Sequence, residues 1–422
     1  MKIESTLNKP ALRLMDNMAR GLIYSRFMNI TEGFLEIEEA YRDGEVYSFG
    51  DAKNAFTSVR IRILHPRAYT RMAFGGSIGC GESYMDGDWT CEQLTDLIRI
   101  FARNREVVMQ IDNGIMNIVH PISKFFHRLR KNSITGSEKN IHAHYDLGND
   151  FFELFLDPSW MYSSGVYLKK ESTLEEAQFE KLDRICRKLR LSKSDHLIEI
   201  GTGWGGFAIH AARHYGCKVT TTTISKKQFE LANERVKAAG LQDQIEILYL
   251  DYRLLQGKYD KLVSIEMIEA VGLEFLGTYF EKCSSLLKDD GEMLIQAITI
   301  KEQYYENAKN SVDFIQRYIF PGSGIPSVES ISKAVKENTD LQMTHMEDFG
   351  PHYARTLAEW AVRLKSNHSE LLKRGYEEEL YRMWQFYFSY CEGGFSERSI
   401  GVMQLKLSKP GSRHDSWIGE VN

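Results

Sequence analysis

An acidic residue followed by glycines at alternate positions, Glu199-Ile200-Gly201-Thr202-Gly203-Trp204-Gly205-Gly206, is the stretch of this chain with the clearest chemical meaning. Glycines there let the backbone turn tightly after a strand and approach a ligand closely. A dinucleotide fingerprint would read G-x-G-x-x-G with an acid about 20 residues on. Here the spacing is G-x-G-x-G-G, and the next strand ends in Thr222-Thr223-Ile224-Ser225. NAD is therefore a poor fit. A carboxylate just ahead of the glycines suits an adenosyl ligand of the methionine type, because it can bind the cationic amino group and no pyrophosphate has to be cradled. Polar residues at the ends of later strands, Thr223 and Asp251, are further candidates, since ligands bind at the carboxyl ends of parallel strands. Each of them also reads as a cap or a turn residue.

The elements that must position these residues are legible from about residue 190. His196–Ile200, Lys218–Thr223, Gln244–Leu250, Leu262–Glu266 and Glu292–Ile300 read as strands, with helices at Gly205–His214 and Lys226–Ala239 between them. Such alternation means right-handed βαβ units and a mostly parallel sheet. The first 110 residues read as mixed α and β. Phe34–Ile37 and Val59–Ile63 alternate like half-buried strands, and Leu94–Phe101 like an amphipathic helix. The glycine-rich run Phe74–Gly81 lacks a strand–helix frame, which favours a structural turn over a phosphate loop. Residues 118–131 are basic with interleaved apolar positions, a pattern of either a membrane-surface segment or a solvated linker.

Composition narrows the class. The chain has 422 residues, with 43% hydrophobic and 26% charged residues, as expected of a globular protein rather than a disordered or fibrous one. The net charge of −5 disfavours a general nucleic-acid binder. The six cysteines form no C-x-x-C pair and no Cys/His cluster with zinc spacing, so no metal site is expected. Scattered thiols and the lack of an apolar N-terminal run or spanning segment point to the cytoplasm, peripheral to a membrane.

A longer ordered series joins the glycine loop: Leu156-Asp157-Pro158, Met161-Tyr162-Ser163-Ser164, Thr223-Ile224-Ser225-Lys226-Lys227-Gln228, Asp251-Tyr252-Arg253, Glu266-Met267-Ile268-Glu269-Ala270-Val271-Gly272, Tyr318–Gly322 and Phe349–Leu357. On these motifs the chain resembles the cyclopropane-fatty-acyl-phospholipid synthase family, mycolic acid cyclopropane synthases included, over roughly residues 140–408. The first 125 residues resemble the N-terminal lipid-associated domain of the bacterial phospholipid enzymes more loosely, best at Gly76–Gly87.

The resemblance implies an α/β class I methyltransferase fold: a Rossmann-like, seven-stranded, mostly parallel sheet whose last strand, near Ser399–Ser408, runs antiparallel. It implies a smaller α+β N-terminal domain (1–125), a linker (126–142), a catalytic domain (143–410) whose residues 300–395 supply acyl-pocket helices over the cleft, and a flexible tail (411–422). The N-terminal domain would mediate membrane approach or dimerisation. The implied cofactor is S-adenosyl-L-methionine, contacted by Tyr162, Ser163, Glu199, Gly201, Gly203, Gly205, Thr223, Ile224, Gln228, Asp251 and Tyr252. The implied reaction is methyl transfer to the double bond of an unsaturated phospholipid acyl chain. It forms a carbocation, and proton loss from the added methyl closes a cyclopropane. Loss from a different carbon would give a methylene- or methyl-branched chain.

The family's base is a bound bicarbonate held by a cysteine, a glutamate, a histidine and a tyrosine. These positions fall here on Ser164, Glu269, Gln296 and Tyr353. Serine and glutamine can still hydrogen-bond a small anion, but the imidazole is lost. Glu266 is expected to solvate a helix end or to orient Glu269. Cys391 falls on another motif cysteine of the family, and reads as core before nucleophile. The run Trp384–Tyr390 reads as core first and as a cation shield second. Two other function classes stand beside the leading one: a small-amine N-methyltransferase, against which the long N-terminal segment argues, and a non-catalytic lipid-binding protein.

Overall fold

A computed structural model describes residues 9–107 and 147–413, with side chains from residue 14. The basic stretch 118–131, the linker and most of the tail lie outside the described residues. The chain forms two compact units, which share it unevenly.

The first unit holds residues 9–107 together with Ser311–Ile319 and His368–Glu397. Its sheet runs β2-β1-β3-β4, from β1 (Phe34–Glu39), β2 (Glu45–Gly50), β3 (Ser58–Ile63) and β4 (Trp89–Cys91). Strict alternation builds it: Val59, Ile61 and Ile63 face inward, while Arg60 and Arg62 face out and pair with Glu36 and Glu38 at 2.9 and 3.0 Å. The glycine-rich run is neither a phosphate loop nor a simple turn. It lies within the helix Arg67–Met85, which breaks at Gly76 (φ 52°), and Gly81 lies against the ring of Phe314. The helix Glu378–Ser396 also packs here, against the helix Leu94–Arg103, where Arg99 and Arg103 bond Glu397 at 2.8 and 2.7 Å. The sequence reading grouped that helix with the catalytic domain. With Trp384, Phe386 and Phe388 all buried, it instead belongs to the first unit's core.

The second unit holds residues 147–310, Phe320–Asn367 and 398–413. Its seven strands are β5 (His196–Ile200), β6 (Lys218–Thr223), β7 (Ile245–Tyr249), β8 (Tyr259–Ile265), β9 (Leu287–Ile300), β10 (Gln342–Asp348) and β11 (Ile400–Ser408), in the order β10-β11-β9-β8-β5-β6-β7. β11 runs antiparallel to both neighbours, and β5 through β9 pair in parallel. The direction of winding reverses between β5 and β8, so the crevice for a ligand opens at their carboxyl ends.

β8 begins earlier than its apolar run suggests, because the charge of Lys261 is buried inside the sheet. Lys261 bonds Glu292 at 2.7 Å, and Lys406 and Arg190 reach the same carboxylate at 3.0 and 2.9 Å. Burial would raise the Glu292 pKa, but Lys261 and Lys406 hold it down at about 2. β6 is a run of threonines that suits a strand by β-branching. Their hydroxyls find partners: Thr221 donates to Glu199 at 2.6 Å, and Thr223 to Gln228 at 2.9 Å. Among the described residues, no helix is long and apolar enough to cross a membrane.

Candidate active site

The glycine loop leaves β5 with Gly201, Gly203 and Gly205 at φ of 97°, 52° and 82°, a region that side chains disfavour. A Cβ on Gly203 would meet nothing within 4 Å, so the loop presents bare backbone to open space. Gly206 has a different task. A Cβ there would fall 2.6 Å from the Ser159 carbonyl oxygen, so the segment before Tyr162 rests directly on the start of the helix Gly206–Tyr215. Trp204 locks this contact. Its ring packs on Phe152 and Trp160, and its Nε1 donates to Asn149 at 2.9 Å. Arg235 donates to the carbonyls of Trp204, Pro158 and Ser159.

Beneath the loop, Glu199 is buried and accepts from Thr221; burial pushes its pKa up to about 8 in spite of that bond. Lys181, fully buried on the helix Leu174–Leu189, donates to the Ser163 hydroxyl at 2.6 Å. Burial pulls its pKa down to about 8, against the charges of Glu266, Asp157 and Glu199. At the edge of β6, Thr223 and Gln228 bond each other beside the half-buried Ile224. Asp251 caps a short turn and pairs with Arg253 at 2.7 Å, and Tyr252 packs edge-on against Tyr279.

Just past the end of β8 the structure gathers Ser164, Glu266, Gln296 and Tyr353. The Ser164 backbone N–H and the Gln296 side-chain amide donate to Glu266 Oε1 at 2.9 and 2.8 Å, and the Tyr353 hydroxyl donates to Oε2 at 2.7 Å. The Gln296 amide is oriented from behind: its oxygen accepts from Gln404, which accepts in turn from Lys188. Glu266 lies deep in the unit yet keeps accessible surface, as a cleft residue does. Burial raises its pKa, and its three donors and Lys181 work against that rise. Glu269 stands nearby, held by backbone N–H groups alone, that of Ile298 among them; its Oε2 is buried without a partner. Burial and the Glu266 charge push the Glu269 pKa up to about 8. Tyr162 packs on Phe152, Phe155, Phe320 and Trp360, and Trp360 meets Tyr353 edge-on. Tyr353, Thr356 and Trp360 share one face of the helix Gly350–Ser366.

The residues fit the adenosyl ligand inferred from the sequence: a bare glycine loop, a buried acid beneath it, and polar strand ends at the switch point. They do not fit a separate bicarbonate. Ser164 turns its hydroxyl to the Gly165 carbonyl, at 3.0 Å. Its N–H, the Gln296 amide and the Tyr353 hydroxyl already hold a carboxylate, and another anion would stand beside two of them. Cys391 belongs to the first unit, deep in its helix, where burial and Asp313 push the thiol well above its ordinary range. Sequence reasoning missed the central place of Glu266, which it gave to a helix end or to the orientation of Glu269, and it missed Lys181 altogether. The one available signal for Lys181 was a lysine on the apolar face of an amphipathic helix.

This sheet order and this site define an S-adenosyl-L-methionine-dependent methyltransferase. Residues 132–405 match the family model described as mycolic acid cyclopropane synthetase, and the chain belongs to that family. It is 34% identical to tuberculostearic acid methyltransferase UfaA1 of Mycobacterium tuberculosis, over 93% of this chain and 92% of the relative. It is also 34% identical to the cyclopropane-fatty-acyl-phospholipid synthase of Escherichia coli, over 85% and 90%. Among solved structures, mycolic acid cyclopropane synthase CmaA1 in complex with SAH and CTAB aligns with a TM-score of 0.60 and 30% identity, over 64% of this chain and 98% of that one.

Proposed function

We propose that this enzyme transfers a methyl group to the double bond of an unsaturated fatty acyl chain of a phospholipid, and that the product is a cyclopropane fatty acyl chain. The observation that carries this reading is the pairing of an aromatic wall with deep carboxyls at the β5–β8 crevice. Tyr162, Phe320, Trp360 and Tyr353 offer π faces that suit a carbocation, and Glu266 and Glu269 offer oxygens that suit proton removal.

S-adenosyl-L-methionine supplies an electrophilic methyl when bound. Tyr162, Ser163, Glu199, Gly201, Gly203, Gly205, Thr223, Ile224, Gln228, Asp251 and Tyr252 would hold it; Ser163 and Glu199 are themselves set in place by Lys181 and Thr221. The buried walls exclude water that would otherwise capture the cation. The ring closes when a proton leaves the added methyl. If a hydride first shifts from the methylated carbon, the same proton loss leaves a methylene branch on the open chain. That second outcome is favoured by Ser164 and Gln296, which stand where cyclopropane-forming relatives are expected to carry a cysteine and a histidine.

Mass spectrometry of monounsaturated phospholipids incubated with enzyme and S-adenosyl-L-methionine tests the proposal. The expected result is a gain of one methylene on the acyl chain, with NMR showing ring protons or the vinylidene protons of a methylene branch. No gain, with the cofactor bound, refutes lipid methylation for those substrates and turns attention to amines.

A further inference from the structure

We propose that the Glu266 side chain is a built-in replacement for the bicarbonate of the family, and that it is the base that takes the proton in the final step. The proposal rests on the reaction proposed above. Three groups expected to hold the anion, on Ser164, Gln296 and Tyr353, all donate to the two oxygens of Glu266, at 2.7 to 2.9 Å. A carboxylate is a planar pair of oxygens like the corresponding face of bicarbonate, so one donor set serves either, and the covalent anion pays no binding entropy.

The backbone supports the assignment. Glu266 is a non-glycine residue at φ 48°. A side chain in that region costs about 1–2 kcal/mol, and such outliers persist where the surroundings over-determine them. Here the surroundings are its own N–H bonded to the Gln296 carbonyl at 2.7 Å, and its three side-chain donors. The position is also right. Glu266 directly follows β8, and the glycine loop directly follows the adjacent strand β5, so the two flank the switch-point crevice. Gly201 lies against Met267, the next residue after Glu266.

The step balances. The alkene pair forms a bond to the transferred methyl as the carbon–sulfur bond breaks, leaving a cation on the chain. A methyl C–H bond then breaks; its electron pair closes the ring, or forms a branching C=CH2 on the open chain after a hydride shift, and its proton passes to Glu266. Glu269, with only backbone donors and one oxygen without a partner, is the carboxyl of the pair that takes a proton more readily, so the pair carries one negative charge. Lys181 is the cation that faces it.

The test compares wild type with Glu266→Gln and Glu266→Ala, using bicarbonate and S-adenosyl-L-homocysteine as probes. In wild type, titration calorimetry and infrared difference spectra with ¹³C-bicarbonate should show no binding, and methyl transfer should proceed unchanged in CO2-depleted buffer. Glu266→Gln should keep its affinity for S-adenosyl-L-homocysteine, which reports an intact fold, and lose kcat by about 10²–10⁴-fold. Glu266→Ala should gain a bicarbonate signal and recover turnover as bicarbonate is added, which a merely structural role would not produce. Bicarbonate bound by wild type, a wild-type rate that falls without CO2, or an undiminished Glu266→Gln overturns the proposal. If wild type methylates no lipid, the reaction proposed above fails, while the bicarbonate-binding measurements still decide whether Glu266 fills the anion site.

Discussion

Replacing Gly206 by alanine should damage the cofactor site through a contact that a motif search overlooks. The added methyl would lie 2.6 Å from the Ser159 carbonyl oxygen and 2.7 Å from Met161 Sδ, whereas ordinary contact begins at 3.4 Å. The chain at Ser159 must therefore retreat by roughly 0.8 Å, and close packing offers no slack for that. It is held by two Arg235 bonds, to Pro158 and Ser159 at 3.2 and 3.1 Å, and by Asp157, which accepts from the Ser159 N–H at 2.9 Å. Overpacking of this kind costs about 1–3 kcal/mol, which for a unit of this size lowers the melting temperature by about 2 to 12 °C. The strain passes to Tyr162, Ser163 and Ser164, three to five residues on, so the dissociation constant for S-adenosyl-L-homocysteine should rise about tenfold, equivalent to about 1.4 kcal/mol. Gly203→Ala is the control: it meets no atom within 4 Å and bears only the cost of its φ of 52°. Its melting temperature should fall less, while its affinity drops because the methyl enters the space left for the ligand. Thermal denaturation and titration calorimetry on the two variants decide the matter. A Gly206→Ala protein that melts and binds like wild type refutes the argument.

Tyr353→Phe removes one donor from the Glu266 carboxylate but keeps the ring against Trp360; a bond to a charged group is worth about 1.5–3 kcal/mol. Since that donor stabilises the ionised form, and a base must be ionised, the acid limb of the pH–kcat profile should move to higher pH; an unmoved limb would count against Glu266. Glu292→Gln should lower stability at pH 7 by about 3–5 kcal/mol, because it strands buried lysines. The Glu292 pKa is depressed from 4.5 to about 2, so in wild type its contribution of about 3 kcal/mol is present above pH 4.5 and lost as pH falls through 2; urea titrations from pH 7 to 2 should show this loss in wild type and not in the variant. Cys391→Ala should keep kcat within about threefold, since a thiol held far above neutral pH is no nucleophile; a loss of two orders of magnitude with the fold intact would reinstate it as a reactive group.

The sequence alone determined what depends on local pattern. The βαβ alternation, the glycines at 201, 203 and 205, and strands such as His196–Ile200 and Lys218–Thr223 follow from periodicity and backbone sterics, which neighbours in the chain settle by themselves. The ordered motif series, not any single motif, pointed to the family. The tertiary structure decided what depends on distant partners. The helix Glu378–Ser396 reads as apolar wherever it packs, and only its contacts assign it to the first unit. Lys261 and Glu292 lie 31 residues apart, and only the pairing of β8 with β9 buries them together. Glu266 stands next to an apolar strand in the sequence, and nothing local tells a helix-end carboxylate from a catalytic one. Its role appears once Ser164, Gln296 and Tyr353, separated from it by 102, 30 and 87 residues, turn their donors toward it. Convergence of distant side chains on one carboxylate is a property of the folded sheet, and no window of the sequence contains it.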